Sequence, residues 1–249
     1  MIFYYSATGN TRYAARYLAT KLGKKALDIL ELSDIPETGD SVGLMFPIYC
    51  WGVPQVVSSF VEKLIPKISS EVYLWAVCTC GDEAGVAMRK LSNHIKSARG
   101  RSADALWSVI MPNTYVLLPG FNVDSPDVEK AKLAAAPNRI DGIAQQIEKH
   151  VTGVYDVRQG TMPVLRSAIF PLFKKWGVSA KRWHVSADCI GCGKCERICP
   201  AKNIKLTEGS PIWGNRCFSC CACYHCCPVQ AISYANFTKG KSQYICPLS

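Results

Sequence analysis

The chain has 249 residues, 49% hydrophobic and 19% charged, with 14 cysteines and a formal net charge of +10. That length admits more than one domain of about 100–150 residues, and the composition suits a packed core rather than disorder or a fibre. No run of eighteen apolar residues occurs, so no membrane span is expected. Met1 opens into Ile2-Phe3-Tyr4-Tyr5 without a basic leader, so a cytoplasmic location is expected. In that reducing compartment, fourteen cysteines argue for metal ligation over disulfides.

Residues 1–5 are apolar and aromatic and predict a buried strand. Ser6-Ala7-Thr8-Gly9-Asn10-Thr11 follows, then a stretch of helical periodicity from Arg12. Strand, small hydroxylated loop and helix make a phosphate cradle. Free backbone N–H groups and the helix dipole favour an anion there. Gly9 lets the backbone come close, and Ser6, Thr8 and Thr11 add donors. Taken alone, the same segment reads equally well as a capped helix start. Further strands are predicted over 25–29, 42–46, 72–77 and 106–111, with helices over 54–64, from the end of the 78–85 loop to about 96, and over 127–150. Such alternation implies a doubly wound parallel α/β sheet, whose ligands sit beyond the carboxyl ends of the strands. Loops 6–11, 47–52 and 78–85 all follow strands and converge on that edge.

These loops resemble those of the flavodoxin family, which implies a five-stranded sheet of order 2-1-3-4-5 and bound FMN. On that resemblance Ser6, Ala7, Thr8, Gly9, Asn10 and Thr11 hold the phosphate. Pro47, Tyr49, Trp51 and Gly52 border the flavin, with Trp51 stacked on one face. Thr79, Cys80, Gly81, Asp82 and Gly85 cover the other. Flavodoxins usually place a tyrosine after that third loop; Glu83, Ala84 and Gly85 stand here, so the second face is expected to be more open. Tyr115, just beyond the fifth strand, either borders the site or is an ordinary loop residue. Cys50, Cys78 and Cys80 lie in or beside these loops, as packing residues or as redox-active thiols.

Residues 151–183 are expected to link residues 1–150 to a second domain at 184–249. Gly160, Pro163, Pro171 and Gly177 interrupt the link, while Ala168-Ile169-Phe170 and Leu172-Phe173 precede Lys174-Lys175-Trp176. The segment reads as a basic amphipathic helix on a membrane or as aromatics buried between domains; the proline breaks favour burial.

The second domain spells C-x2-C-x2-C-x3-C-P twice, as Cys189, Cys192, Cys195, Cys199, Pro200 and as Cys217, Cys220, Cys223, Cys227, Pro228. Zinc ribbons use paired C-x2-C hooks and a disulfide framework needs no such regularity, so both fit less well. The spacing resembles that of two-cluster bacterial ferredoxins, an α+β fold. There the fourth cysteine of each run ligates the other [4Fe–4S] cluster. One cluster then takes Cys189, Cys192, Cys195 and Cys227, and the other Cys217, Cys220, Cys223 and Cys199. Cys221 and Cys226 adjoin ligands and break the spacing if substituted for them; Cys246 is unassigned. His225 is expected at the surface or behind a ligand. The hairpin region 202–212 is expected to include a short helix, and 231–234 a pairing strand.

Flavodoxin-like and two-cluster parts in one chain resemble the EFR1-type ferredoxin family. The function implied is electron transfer between two [4Fe–4S] clusters, FMN and external redox partners. A ferredoxin-linked flavin reductase acting on a small organic substrate is the alternative. No catalytic constellation stands out, and no G-x-G-x-x-G nicotinamide loop occurs. Residues 1–150 hold 16 Lys+Arg against 15 Asp+Glu, and residues 151–249 hold 13 against 4. Two clusters, each about −2 with their thiolates, lower the second balance from +9 to about +5. The remaining charge suits steering of acidic partner proteins; no nucleic-acid motif accompanies it.

Overall fold

Alternation along β1 (Ile2–Tyr4) sets the frame of the sheet. Ile2 and Tyr4 face one helix layer and Phe3 the other, because successive strand side chains point to opposite faces. The computed structural model describes residues 1–173 and 179–249. β2 (Ala26–Asp28), β3 (Ser41–Pro47), β4 (Tyr73–Cys80) and β5 (Ala105–Ile110) join β1 in a parallel sheet of order β2-β1-β3-β4-β5. A sixth strand, β6 (Val154–Asp156), extends the sheet beyond the five expected by pairing parallel to β5. Three residues of the stretch read as linker therefore belong to the sheet.

α1 (Asn10–Lys21) and α4 (Pro126–Glu148) cover one face through Ala14, Leu18, Ile140 and Ile143, packed on Trp75 and Trp107. α2 (Gln55–Leu64) and α3 (Ala87–Arg99) cover the other through Phe60, Leu64, Leu91 and Ile95. Cys78 sits wholly buried in that second layer, as a packing residue. The sheet order reverses at β1, whose neighbours β2 and β3 lie on opposite sides. A switch point of this kind opens a crevice at the carboxyl edge.

α5 (Pro163–Ser167) and α6 (Phe170–Leu172) lead out of the sheet. Phe173 is buried and meets Tyr115 at 6.1 Å between ring centres, so aromatics of this segment do turn inward. Met162, Val164, Leu165, Ile169 and Leu172 face outward. Lys174, Lys175, Trp176 and Gly177, part of the same sequence reading, lie outside the described residues. Among the described residues no helix is long and apolar enough to cross a membrane.

β7 (Trp183–Val185) pairs antiparallel with β10 (Ile232–Tyr234), which closes the cysteine-rich module. α7 (Lys194–Ile198) and α8 (Ala222–His225) each carry the third cysteine of a run. β8 (Ile204–Thr207) and β9 (Ser210–Trp213) form the expected hairpin, turning at Glu208 and Gly209 with φ of 50° and 77°. Two left-handed residues match the twist of paired strands in a two-residue loop. The short helix expected in 202–212 is absent, because the backbone there is engaged in the β8–β9 ladder.

Candidate functional site

A cavity opens at the carboxyl edge of the sheet. Four strand-following loops supply it: Ser6, Ala7, Thr8, Asn10 and Thr11 after β1, and Pro47, Ile48, Tyr49 and Cys50 after β3. Thr79, Cys80 and Gly81 close β4, and Met111 to Tyr115 follow β5. Ten of the fifteen expected flavin contacts thus line one space. Of the loop after β5 the sequence singles out only Tyr115; Met111 to Thr114 join it, as the rule that ligands sit at strand ends allows. Tyr115 does border the cavity.

The phosphate loop is built as a cradle. Gly9 caps α1 with φ 98°, and its N–H donates to Ser6 Oγ at 3.2 Å. Thr11 and Thr79 share a hydroxyl hydrogen bond of 2.7 Å, tying the loop to β4. Asn10 donates to the Pro112 carbonyl at 2.9 Å and accepts from the Tyr244 hydroxyl at 2.6 Å. Asn10 is therefore occupied. The first amides of α1 and the Thr8 hydroxyl stand at the helix start, where free backbone donors favour an anion. Gly9 itself lies against the chain's last residues, where a Cβ would collide with Ser249 and Cys246.

Trp51, Gly52, Asp82 and Gly85 stand off the cavity wall. The Trp51 indole donates to Glu83 Oε1 at 2.8 Å, and the Arg166 guanidinium, paired with Glu83, lies 5.8 Å from its ring centre. Glu83, standing where flavodoxins usually place a tyrosine, holds the tryptophan away from the cavity. Gly52 packs beneath Phe170, and Gly85 beneath Ser167. Asp82 accepts from Asn113 Nδ2 at 2.9 Å and pairs with Lys132 at 3.3 Å.

Two smaller cavities lie in the cysteine module. Cys189, Cys192, Cys195 and Cys227 line one; Cys199, Cys217, Cys220 and Cys223 line the other, with Cys221 beside them. The fourth cysteine of each run therefore stands with the opposite set. Among the described residues no three potential ligands gather around a single ion. A zinc site draws its sulfurs within about 2.3 Å of one centre, whereas a cubane takes one thiolate per iron and needs a wider ring. Backbone N–H groups already point at the sulfurs: Asn203 to Cys199 at 3.3 Å, Ser219 to Cys217 at 3.3 Å and Ala231 to Cys227 at 3.2 Å. Burial pushes the Cys220 thiol up to about 12, so a thiolate there needs a cationic centre beside it. Burial likewise pushes Cys50 up to about 11, which leaves it an unreactive thiol. The cysteine thiols lining each cavity, with amides already aimed at three of the sulfurs, suit iron–sulfur ligation.

The modules meet at the flavin-side cavity. Ser219, Cys220 and Cys221 form part of its wall, and Cys220 and Cys221 also line the second cysteine cavity. His225, expected at the surface or behind a ligand, is 4% exposed and joins the modules. Its Nδ1 accepts from the Tyr244 amide at 3.1 Å, so Nε2–H donates to the Thr114 carbonyl at 2.7 Å. Burial holds its pKa down near about 4, keeping it neutral. Lys241 donates to the carbonyls of Val116 and Leu118, both at 2.7 Å. No local pattern in the sequence announces such contacts. The flavin-side space measures about 90 Å³, against ~300–1,000 Å³ for ordinary ligand sites.

A flavodoxin-domain family model matches residues 1–104, and a 4Fe-4S binding-domain model matches residues 184–205. One protein of the ion-translocating oxidoreductase complex of Methanosarcina acetivorans is 49% identical over 45 residues, 18% of this chain and 17% of that protein. The chain thus spans a small part of the curated relative it matches. Among solved structures, rubredoxin oxygen:oxidoreductase of Desulfovibrio gigas is 16% identical over 60% of this chain and 36% of that one, with TM-score 0.38. A Fusobacterium nucleatum flavodoxin bound to flavin mononucleotide is 15% identical over 61% and 95%, with TM-score 0.42. A flavodoxin domain implies FMN, and a 4Fe-4S domain implies an iron–sulfur cluster. The chain thus joins a flavodoxin-domain match and a 4Fe-4S binding-domain match in one polypeptide.

Proposed function

We propose that this electron-transfer flavo-iron–sulfur protein passes electrons between two [4Fe–4S] clusters and FMN, and exchanges them with external redox proteins in the cytoplasm. One observation carries the reading: Cys220 and Cys221 line both the flavin-side cavity and the second cysteine cavity. Cubanes carry single electrons and a flavin one or two, so the two kinds of centre together link single-electron to paired-electron transfer. The chain's own work is to hold them close. Cys189, Cys192, Cys195 and Cys227 would hold the outer cluster, and Cys199, Cys217, Cys220 and Cys223 the inner one. Amides of Asn203, Ser219 and Ala231 donate to ligand sulfurs and so raise cluster potentials. His225 and Lys241 fasten the modules, so the inner cluster and the flavin meet without a diffusional search.

The domains that follow from this reading are a flavin-binding sheet of residues 1–156, closed by β6, a connecting segment, and a two-cluster module of residues 184–249. Lys194, Arg197, Lys202 and Lys205 lie within and just after the first cysteine run, among Asp188, Glu196 and Glu208. On this reading the exposed Cys192 makes that side the landing place for a partner steered by the module's net basic charge. Anaerobic iron and flavin analysis followed by rapid-mixing reduction tests the proposal. Roughly eight irons and one FMN per chain, with flavin reduced through the clusters, are expected; zinc, or flavin that reacts no faster with the clusters present, overturns it. A second reading, a flavin reductase for a small organic substrate, is favoured by the engagement of Trp51 with Glu83, away from the cavity, which leaves Tyr49 and Tyr115 as the aromatic residues of its wall. Saturable turnover of quinones, nitro compounds or enoates would establish that reading over the first.

A further inference from the structure

We infer that Ser219, a residue of the cysteine module, completes the flavin site by hydrogen-bonding a polar atom of the bound flavin. This rests on the reading that the cavity takes FMN. Ser219 is 3% exposed and lies on the cavity wall. Its Oγ is buried and has no hydrogen-bond partner among the described residues. Buried hydroxyls are nearly always paired, and each exception calls for a missing partner.

The backbone around it is held by contacts on the cluster side. Ser219 and Cys221 take φ of 52° and 59°, a left-handed conformation on both sides of Cys220. Non-glycine residues hold that conformation only where surrounding contacts impose it. Here the Ser219 N–H donates to Cys217 Sγ at 3.3 Å, and its carbonyl accepts from the Cys221 thiol at 3.7 Å. These cluster-side contacts engage the main chain and leave the hydroxyl, in the wall of the cavity, without a partner. A serine donates and accepts through one oxygen, so it can pair with either a carbonyl oxygen or a ring nitrogen of an isoalloxazine. One residue then touches both redox sites, its amide on a ligand sulfur and its hydroxyl on the flavin.

The test uses the full chain, prepared anaerobically, with Ser219→Ala and Ser219→Gly. Flavin-depleted, cluster-loaded protein is titrated with FMN, and iron content, cluster EPR and the flavin midpoint potential are recorded. Both variants should bind FMN about fivefold to tenfold more weakly, the effect of one neutral hydrogen bond, with a shifted flavin potential and unchanged iron and EPR. Glycine relieves the left-handed backbone, so a fault of folding alone would spare that variant. Unchanged affinity and potential overturn the inference. So does parallel loss of iron and flavin in both variants, which assigns Ser219 to the cluster fold instead. Wild-type protein that binds no FMN removes the functional reading itself, and this inference with it.

Discussion

The first cysteine run opens toward solvent, with Cys192 exposed and Ile190 and Val229 uncovered at the edge of its cavity. The second run turns inward, with Ser219 and Cys221 buried and Tyr115, Val116 and Leu117 packed around its module. Identical spacing therefore serves two surroundings. Beside the outward run Arg197 donates to the Cys192 carbonyl at 3.0 Å and Lys205 pairs with Glu196 at 3.4 Å. The spacing decides what is bound; the neighbours decide whom the bound group meets.

Removing one ligand from either run should have the largest effect. Cys195→Ser should remove the outer cluster and Cys220→Ser the inner one, each lowering iron from about eight to about four per chain. Only the inner loss should leave partner-reduced clusters unable to reduce the flavin. Equal behaviour of the two variants would erase the distinction between outward and inward runs. Next comes Thr8→Glu, which sets a carboxylate against the phosphate and costs about 2–3 kcal/mol or more of FMN binding. Iron should be untouched, as the change lies wholly in the sheet module; FMN bound as tightly as before would refute the cradle.

A smaller effect is expected at the joint. His225→Ala leaves the Thr114 carbonyl and the Tyr244 amide without their partner, at a cost of about 1–3 kcal/mol. Denaturation followed by flavin release and by cluster bleaching should then show two separated transitions; coincident ones would mean that His225 does not couple the modules. Salt should act most gently. Raising ionic strength from about 0.01 to 0.15 M shortens the Debye length from about 30 to 8 Å. Reduction by an acidic partner should slow several-fold, while transfer within the chain stays constant. A partner rate indifferent to salt would deny the module's net basic charge its steering role.

Much of this was legible because it is local. The strand cores, the loop 6–11 and the doubled cysteine spelling are patterns of adjacent residues, and period-two and period-3.6 burial makes them readable. β6 escaped because it has three residues at the sheet edge, just after Gly153, and no apolar run marks it. Trp51 escaped for another reason. Its orientation depends on Glu83 and Arg166, both remote in sequence, and a resemblance transfers a residue's identity without its neighbours. His225 and the Ser219–Cys221 turn belong to the same class, since a wall shared by two modules is written in neither of them.

The chain's end grips its beginning. Tyr244 reaches Asn10 across 234 positions, and the Cys246 amide donates to the Thr8 carbonyl at 2.8 Å. Contacts so distant along the polymer form late, after the intervening loops have closed. Protein made without iron should therefore hold FMN more weakly than cluster-loaded protein, because these two ties reach the phosphate loop from the cysteine module; equal affinity would show that they do not shape it.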